Sequence, residues 1–200
     1  MAEALRVVVA EDEAVIRMDL VEMLRDEGYD VVGQAPHGLD AVALVESRSP
    51  DALLVDIAMP GLDGIEVTRR TADRTAVVVV TAFGQRERVA QARDAGAMAY
   101  LVKPVGADDL MPTVEMAVAG WRTLRDLRSR ADDAEAAAAA SDRRLADRRD
   151  VERAKGVLQR TLGLDEEGAY RWLRATAMDR RMPLSEVARG ILDGGGAAPL

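Results

Sequence analysis

Short apolar runs alternate with helical patterns through the first half of the chain, and that alternation predicts its architecture. Residues 5–10, 52–55, 76–80 and 98–102 are nearly continuous in apolar character, with a weaker run at 30–34. Strands covered on both faces read this way, whereas half-exposed strands alternate. Between the runs, residues 14–26, 37–47, 64–72, 86–95 and 108–120 place their apolar side chains at helical spacing. Five βα units in succession predict an α/β fold, a five-stranded doubly wound parallel sheet with helices on both faces.

A different pattern begins at Leu110. Apolar positions step through Val114, Ala117, Trp121 and Leu124, slip to Leu127, and resume at Ala131, Ala134, Ala138, Ser141 and Leu145. This is a heptad-like seam with one phase break. Neither Pro nor Gly falls between Trp121 and Lys155, so the last helix of the sheet domain is expected to continue as one long connector. Its seam is mostly alanine, which suits either a thin coiled coil or a solvated spacer.

Residues 150–193 predict a small all-α bundle of three short helices. Val151, Ala154, Leu158 and Leu162 mark the inner face of the first, which Gly163 closes. Asp165 is placed to cap the second, whose inner face carries Ala169, Leu173, Thr176 and Ala177. Pro183 breaks the chain, Ser185 is placed to cap the third helix, and Val187, Ala188, Ile191 and Leu192 form its apolar side. The expected organisation is therefore a domain at 1–120, a helical connector at 121–149, the bundle at 150–193, and a disordered tail at 194–200.

The strand ends carry the chemistry. The first run leads into Glu11-Asp12-Glu13, the third into Asp56, the fourth into Thr81-Ala82 and the fifth into Lys103-Pro104. After Asp56 the segment Ile57-Ala58-Met59-Pro60-Gly61-Leu62-Asp63-Gly64 turns the backbone out of the sheet, because Pro60 cannot donate to a ladder. Open α/β sheets bind ligands at the carboxyl ends of their strands. Glu11, Asp12 and Asp56 are hard oxygen donors that repel one another unless a cation joins them, and Mg2+ suits such a set. A carboxylate can also accept a phosphoryl group covalently, with the metal, Lys103 and the Thr81 hydroxyl meeting its charge.

With these residues in place, residues 1–120 resemble the receiver domain of two-component response regulators, a flavodoxin-like fold. The resemblance rests on Glu11-Asp12, Asp56 in its D-I-A-M-P-G-L-D-G segment, Thr81-Ala82, Tyr100 and Lys103-Pro104. It implies that Asp56 is phosphorylated by a sensor histidine kinase. It further implies that Asp12, Asp56 and the Ala58 carbonyl bind Mg2+ with Glu11 assisting, and that Thr81 and Lys103 contact the phosphoryl oxygens. Tyr100 would turn inward when Thr81 moves, and a cis peptide would precede Pro104. Phe83 stands where the family commonly tolerates aromatics. Such a protein is no enzyme beyond self-catalysed phosphoryl transfer and slow autodephosphorylation.

Charge and composition narrow the output. Residues 1–120 hold 11 basic against 21 acidic side chains, and residues 121–200 hold 16 against 14. Nucleic acid, if bound, must therefore meet the second half. No cysteine occurs, so disulfides and thiolate metal sites are excluded. The first apolar run is too short for a signal peptide or a membrane span, and a cytoplasmic protein without membrane contact is expected.

The bundle is similar to the ANTAR domain, the RNA-binding module of bacterial transcription antiterminators. Val151-Glu152-Arg153-Ala154-Lys155-Gly156-Val157-Leu158, Glu167-Gly168-Ala169-Tyr170-Arg171-Trp172-Leu173-Arg174, Ala177-Met178 and Glu186-Val187-Ala188 carry the likeness. The arrangement looks like the receiver–ANTAR regulators of actinobacteria. It implies proteins that dimerise and bind paired RNA stem-loops, stabilising the antiterminated transcript; a change in the packing or dimerisation of the helix Asp108–Asp147 on phosphorylation is a separate expectation. From the residues alone, Arg153, Lys155, Arg171, Arg174, Arg180 and Arg181 are the phosphate-contact candidates, with Tyr170 for base stacking. Yet residues 151–193 balance 8 basic against 7 acidic side chains, and Tyr170 and Trp172 suit core packing equally well. A DNA-reading helix or a protein-docking surface are the alternative outputs. A recognition helix at 185–192 would offer only Glu186 and Arg189 as exposed polar groups.

Overall fold

The computed structural model describes residues 4–82 and 86–194. Phe83 and residues 195–200 of the expected tail lie outside them. The chain divides into two compact units, Met1–Arg128 and Ser129–Leu200.

In the first unit five parallel strands stand in the order β2-β1-β3-β4-β5. They are β1 (Arg6–Ala10), β2 (Asp30–Ala35), β3 (Ala52–Asp56), β4 (Ala76–Thr81) and β5 (Ala99–Val102). Four helices alternate with them: α1 (Ala14–Asp26), α2 (Gly38–Arg48), α3 (Gly64–Thr71) and α4 (Arg86–Asp94). Alternate residues of each central strand serve opposite faces. Val7, Val9, Leu54 and Val78 pack with Leu20 and Leu24 of α1 and with Leu110 and Val114. Val8, Leu53, Val55 and Val77 pack with Ala41 and Val45 of α2, Val67 of α3 and Ala92 of α4. Both faces being covered is why these strands are continuously apolar. His37, expected within a helix, instead occupies the extended residue preceding α2.

Helix α5 runs unbroken from Ala107 to Leu162. Pro112 lies inside its second turn and lacks the N–H that would bond to the Asp108 carbonyl, yet the helix continues through it. The first unit extends beyond residue 120 because α5 stays anchored to it. The Trp121 indole N–H donates to the Ala72 carbonyl at 2.8 Å, Arg122 pairs with Asp51 at 2.7 Å, and the Arg125 guanidinium lies 5.2 Å from the Trp121 ring. Further along, Ala131, Ala134, Ala138 and Leu145 of the seam are exposed. No helix among the described residues is long and apolar enough to cross a membrane.

In the second unit the end of α5 packs with α6 (Glu166–Arg180) and α7 (Leu184–Leu192). Ala154, Leu158, Ala169, Leu173, Val187, Ala188 and Ile191 form the core. Gly163 leaves α5 at φ +66, and the Asp165 carboxylate accepts the Gly168 N–H at 2.7 Å. Two expectations need correction. Leu162 is exposed, since the helix ends there and its side chain lies past the core. Ser185 does not cap α7: Pro183 holds the capping position, its carbonyl accepting the N–H groups of Glu186 at 3.0 Å and Val187 at 3.3 Å, so Ser185 already lies inside the helix.

Candidate functional site

The site lies at the carboxyl ends of the strands, around the point between β1 and β3 where the strand order reverses. Glu11 and Asp12 leave β1, Asp56 ends β3, Thr81 ends β4 and Lys103 follows β5. Ligand oxygens of Glu11, Asp12 and Asp56 all lie within 4.8 Å of one another. The Lys103 Nζ reaches Glu11 Oε2 at 2.8 Å and donates to Asp56 Oδ2 at 3.0 Å. Glu11 and Asp56 are buried, Asp12 is half-buried, and the Thr81 hydroxyl donates to the Ala82 carbonyl at 3.4 Å.

The backbone around these groups is tightly held. The Arg17 guanidinium donates to the Glu11 carbonyl at 2.6 Å, and the Glu13 N–H donates to Glu11 Oε1 at 3.3 Å. Asp63 caps α3 by accepting the Glu66 N–H at 2.9 Å. Gly64 sits against β3: a Cβ added there would lie 2.1 Å from the Asp56 carbonyl oxygen. That close approach escapes sequence reasoning, because a Gly after Asp in a turn segment reads only as a flexible link. The bond between Lys103 and Pro104 is cis.

Electrostatics follow from burial. Desolvation pushes the Glu11 carboxyl above its ordinary range; the Lys103 hydrogen bond opposes the rise and the Asp56 charge adds to it. Desolvation pulls the Lys103 ammonium down, but its bonds to Glu11 and Asp56 outweigh it and hold the group above its ordinary value. Three acids against one ammonium leave a local excess of negative charge in a cluster of hard oxygen donors. That donor set fits Mg2+. Ala58 lies in the exposed turn two residues past Asp56, and Tyr100 on β5 is 55% exposed.

The C-terminal candidates are arranged differently. Arg153, Tyr170, Arg171, Arg174, Arg180 and Arg181 are all exposed. Arg181 ends α6 in the left-handed region at φ +52. Lys155 departs from the reading as an open surface cation. It is 9% exposed, and its ammonium bridges Glu152 (2.9 and 3.1 Å) and Glu166 (2.9 Å), tying α5 to the start of α6. The two aromatics separate: Trp172 packs against the core, while Tyr170 is 44% exposed.

This fold, with two acids, an aspartate, a hydroxyl and a lysine on successive strand ends, defines a signalling receiver. Sequence models match the response regulator receiver domain at residues 7–115 and the ANTAR domain at residues 139–192. The chain belongs to the response regulators of two-component systems, with a receiver domain followed by an ANTAR domain. It is 47% identical over 190 residues to the transcriptional regulatory protein PdtaR of Mycobacterium tuberculosis, spanning 94% of this chain and 89% of that one. Sporulation initiation phosphotransferase F of Bacillus subtilis is 31% identical over 113 residues, 55% of this chain and 90% of its own. Among solved structures, the signal receiver domain of a modulated diguanylate cyclase from Desulfovibrio desulfuricans superposes with a TM-score of 0.57 at 32% identity, covering 60% of this chain and 98% of that one.

Proposed function

We propose that Asp56 is the phosphoacceptor of a cytoplasmic response regulator whose C-terminal domain binds structured RNA and promotes transcription antitermination. The observation that carries the first half is the convergence of buried Glu11 and Asp56 with Asp12 and the Lys103 ammonium. A bond forms between an Asp56 carboxylate oxygen and phosphorus as the N–P bond of a sensor kinase phosphohistidine breaks, leaving the imidazole as the leaving group. Glu11, Asp12, Asp56 and the Ala58 carbonyl would hold Mg2+, which when bound supplies charge compensation for the incoming phosphoryl oxygens. Lys103 contributes a fixed positive charge, and the Thr81 hydroxyl a hydrogen-bond donor, to those same oxygens. Engagement of Thr81 draws Tyr100 inward from its exposed position.

For the second half, the ANTAR match and the similarity to a transcriptional regulator support RNA stem-loops as the partner. Phosphorylation promotes a homodimer through the exposed seam of α5, presenting paired bundles to paired stem-loops and raising avidity without new contacts. A DNA-reading output fits less well. Arg189, the basic side chain α7 would offer a groove, is paired with Asp147 at 3.3 Å.

The test is intact mass after incubation with Mg2+ and a small-molecule phosphodonor. One phosphoryl group is expected on the native chain and none on Asp56→Asn. Labelling retained in that variant would remove Asp56 from the mechanism. Sedimentation and hairpin-RNA binding on the same samples test the coupling, which fails if neither changes on phosphorylation.

A further inference from the structure

Within the second unit a shallow, open pocket of about 400 Å³ lies beside Tyr170. The end of the connector in α5 supplies Asp147, Arg148, Val151 and Glu152 to its lining, and the start of α7 supplies Leu184 and Ser185. We propose that this cavity is a subsite for one unpaired RNA base stacked on Tyr170, a proposal that rests on the RNA-binding reading above.

Four observations converge. Tyr170 is held out of the core that Ala169 and Leu173 fill, so a large π-face stands 44% exposed at a concave surface. Aromatic faces of this kind are where splayed RNA bases stack. The cavity walls join apolar surface from Val151 and Leu184 to polar edges from Ser185 and two carboxylates, the mixed lining expected of a small aromatic ligand site. The charges of those carboxylates are countered within the chain, Asp147 by Arg189 at 3.3 Å and Glu152 by Lys155 at 2.9 Å, so they do not simply repel a polyanion. Finally, no acidic residue occurs between Gly168 and Met178. Arg171 and Arg174 are exposed just beyond Tyr170 along α6, and Arg148 stands on the cavity wall. Phosphates flanking a seated base would meet these cations.

The wall also sets a preference. Carboxylates only accept hydrogen bonds, so Asp147 and Glu152 favour a base edge with an exocyclic amino group and disfavour the two carbonyl oxygens of uracil. Lys155 enters this site by position only: by holding Glu152 it fixes one wall, and it makes no phosphate contact of its own.

The experiment uses the full-length phosphorylated chain and a pool of RNA hairpins, one stem closing a short randomised loop. Affinity of the retained hairpins is then measured across salt for the native chain, Tyr170→Phe, Tyr170→Ala, Ser185→Tyr and Arg174→Ala. Tyr170→Ala is expected to weaken binding by about tenfold or more, the loss of one stacked base, while Tyr170→Phe keeps it. Arg174→Ala should lower the salt slope by about one, whereas Tyr170→Ala leaves the slope unchanged. Ser185→Tyr crowds the same pocket while leaving residue 170 unchanged and decides the matter if Tyr170→Ala fails to fold; it should weaken binding likewise. Guanine, cytosine or adenine should be enriched over uracil at one loop position. Hairpins bound equally by the native chain, Tyr170→Ala and Ser185→Tyr overturn the subsite alone, and uracil enriched at that position overturns the amino-group preference. A native chain that retains no hairpin overturns the RNA reading and the subsite with it.

Discussion

Two lysines in this protein each bridge two carboxylates, and the two triads do different things. Lys103 joins Glu11 and Asp56, whose side chains are 0% and 7% exposed. Lys155 joins Glu152 and Glu166, whose side chains are 61% and 76% exposed. In the receiver the acids have lost their water, so burial lifts Glu11 while Lys103 restrains it, in a cluster whose donor set fits a metal ion. In the bundle the acids keep their water, and the Lys155 hydrogen bond simply lowers Glu166. The same three groups form the candidate functional site where the acids are desolvated and a tie between helices where they are not.

The largest expected effect separates the two triads by backbone alone. Gly64→Ala forces a Cβ onto the Asp56 carbonyl, so the receiver should lose about 3 kcal/mol or more of stability and accept phosphoryl groups poorly. Urea unfolding and intact mass read both effects, and unchanged stability would show that the β3–α3 contact is looser than described. Leu158→Ala should act in the other unit, costing about 2–3 kcal/mol for a fully buried leucine. Hydrogen exchange should then show loss of protection in residues 151–192 with the receiver protected as before. Loss of receiver protection as well would break the two-unit comparison.

Removing the lysines sharpens the contrast. Lys103→Ala leaves two buried carboxylates without their counter-charge and should cost about 2 kcal/mol near neutral pH, part of it recovered by added Mg2+. A Mg2+-independent loss would mean that Lys103 acts by packing alone. The smallest effect is that of Glu166→Gln. Glu166 lies below its ordinary value of 4.5 when folded, so the folded state binds fewer protons there than the unfolded one. Its contribution is therefore present above about pH 4.5 and is lost as pH falls through the folded value. The variant should melt slightly lower at neutral pH, with the difference vanishing in acid; a difference that persists in acid would assign Glu166 another role.

Much of the receiver is legible in sequence because buried strands leave long apolar runs and the candidate site residues sit at their ends. The α1 bounds agree with the helical spacing, and most other bounds shift by a residue or so, where hydrogen bonding and apolar pattern end at different points. What sequence hides are contacts between distant segments. The Trp121 bond to the Ala72 carbonyl links positions that no local pattern joins. Lys155 read as an open cation because Glu166 lies across a loop, although Glu152 three residues before it was a usable signal. Tyr170 and Trp172 were indistinguishable in pattern, and only the packing of three helices separates the exposed ring from the covered one.

The placement of the two tryptophans gives the molecule an optical consequence. The chain has 2 Trp, Trp121 anchored to the receiver by its indole N–H and covered by Arg125, and Trp172 against the bundle core. Each unit thus carries its own fluorophore. Replacing Trp172 by Phe leaves an emission that follows the receiver alone, and replacing Trp121 leaves one that follows the bundle alone. The proposed coupling of Asp56 phosphorylation to the bundle can be timed with the chain's own light.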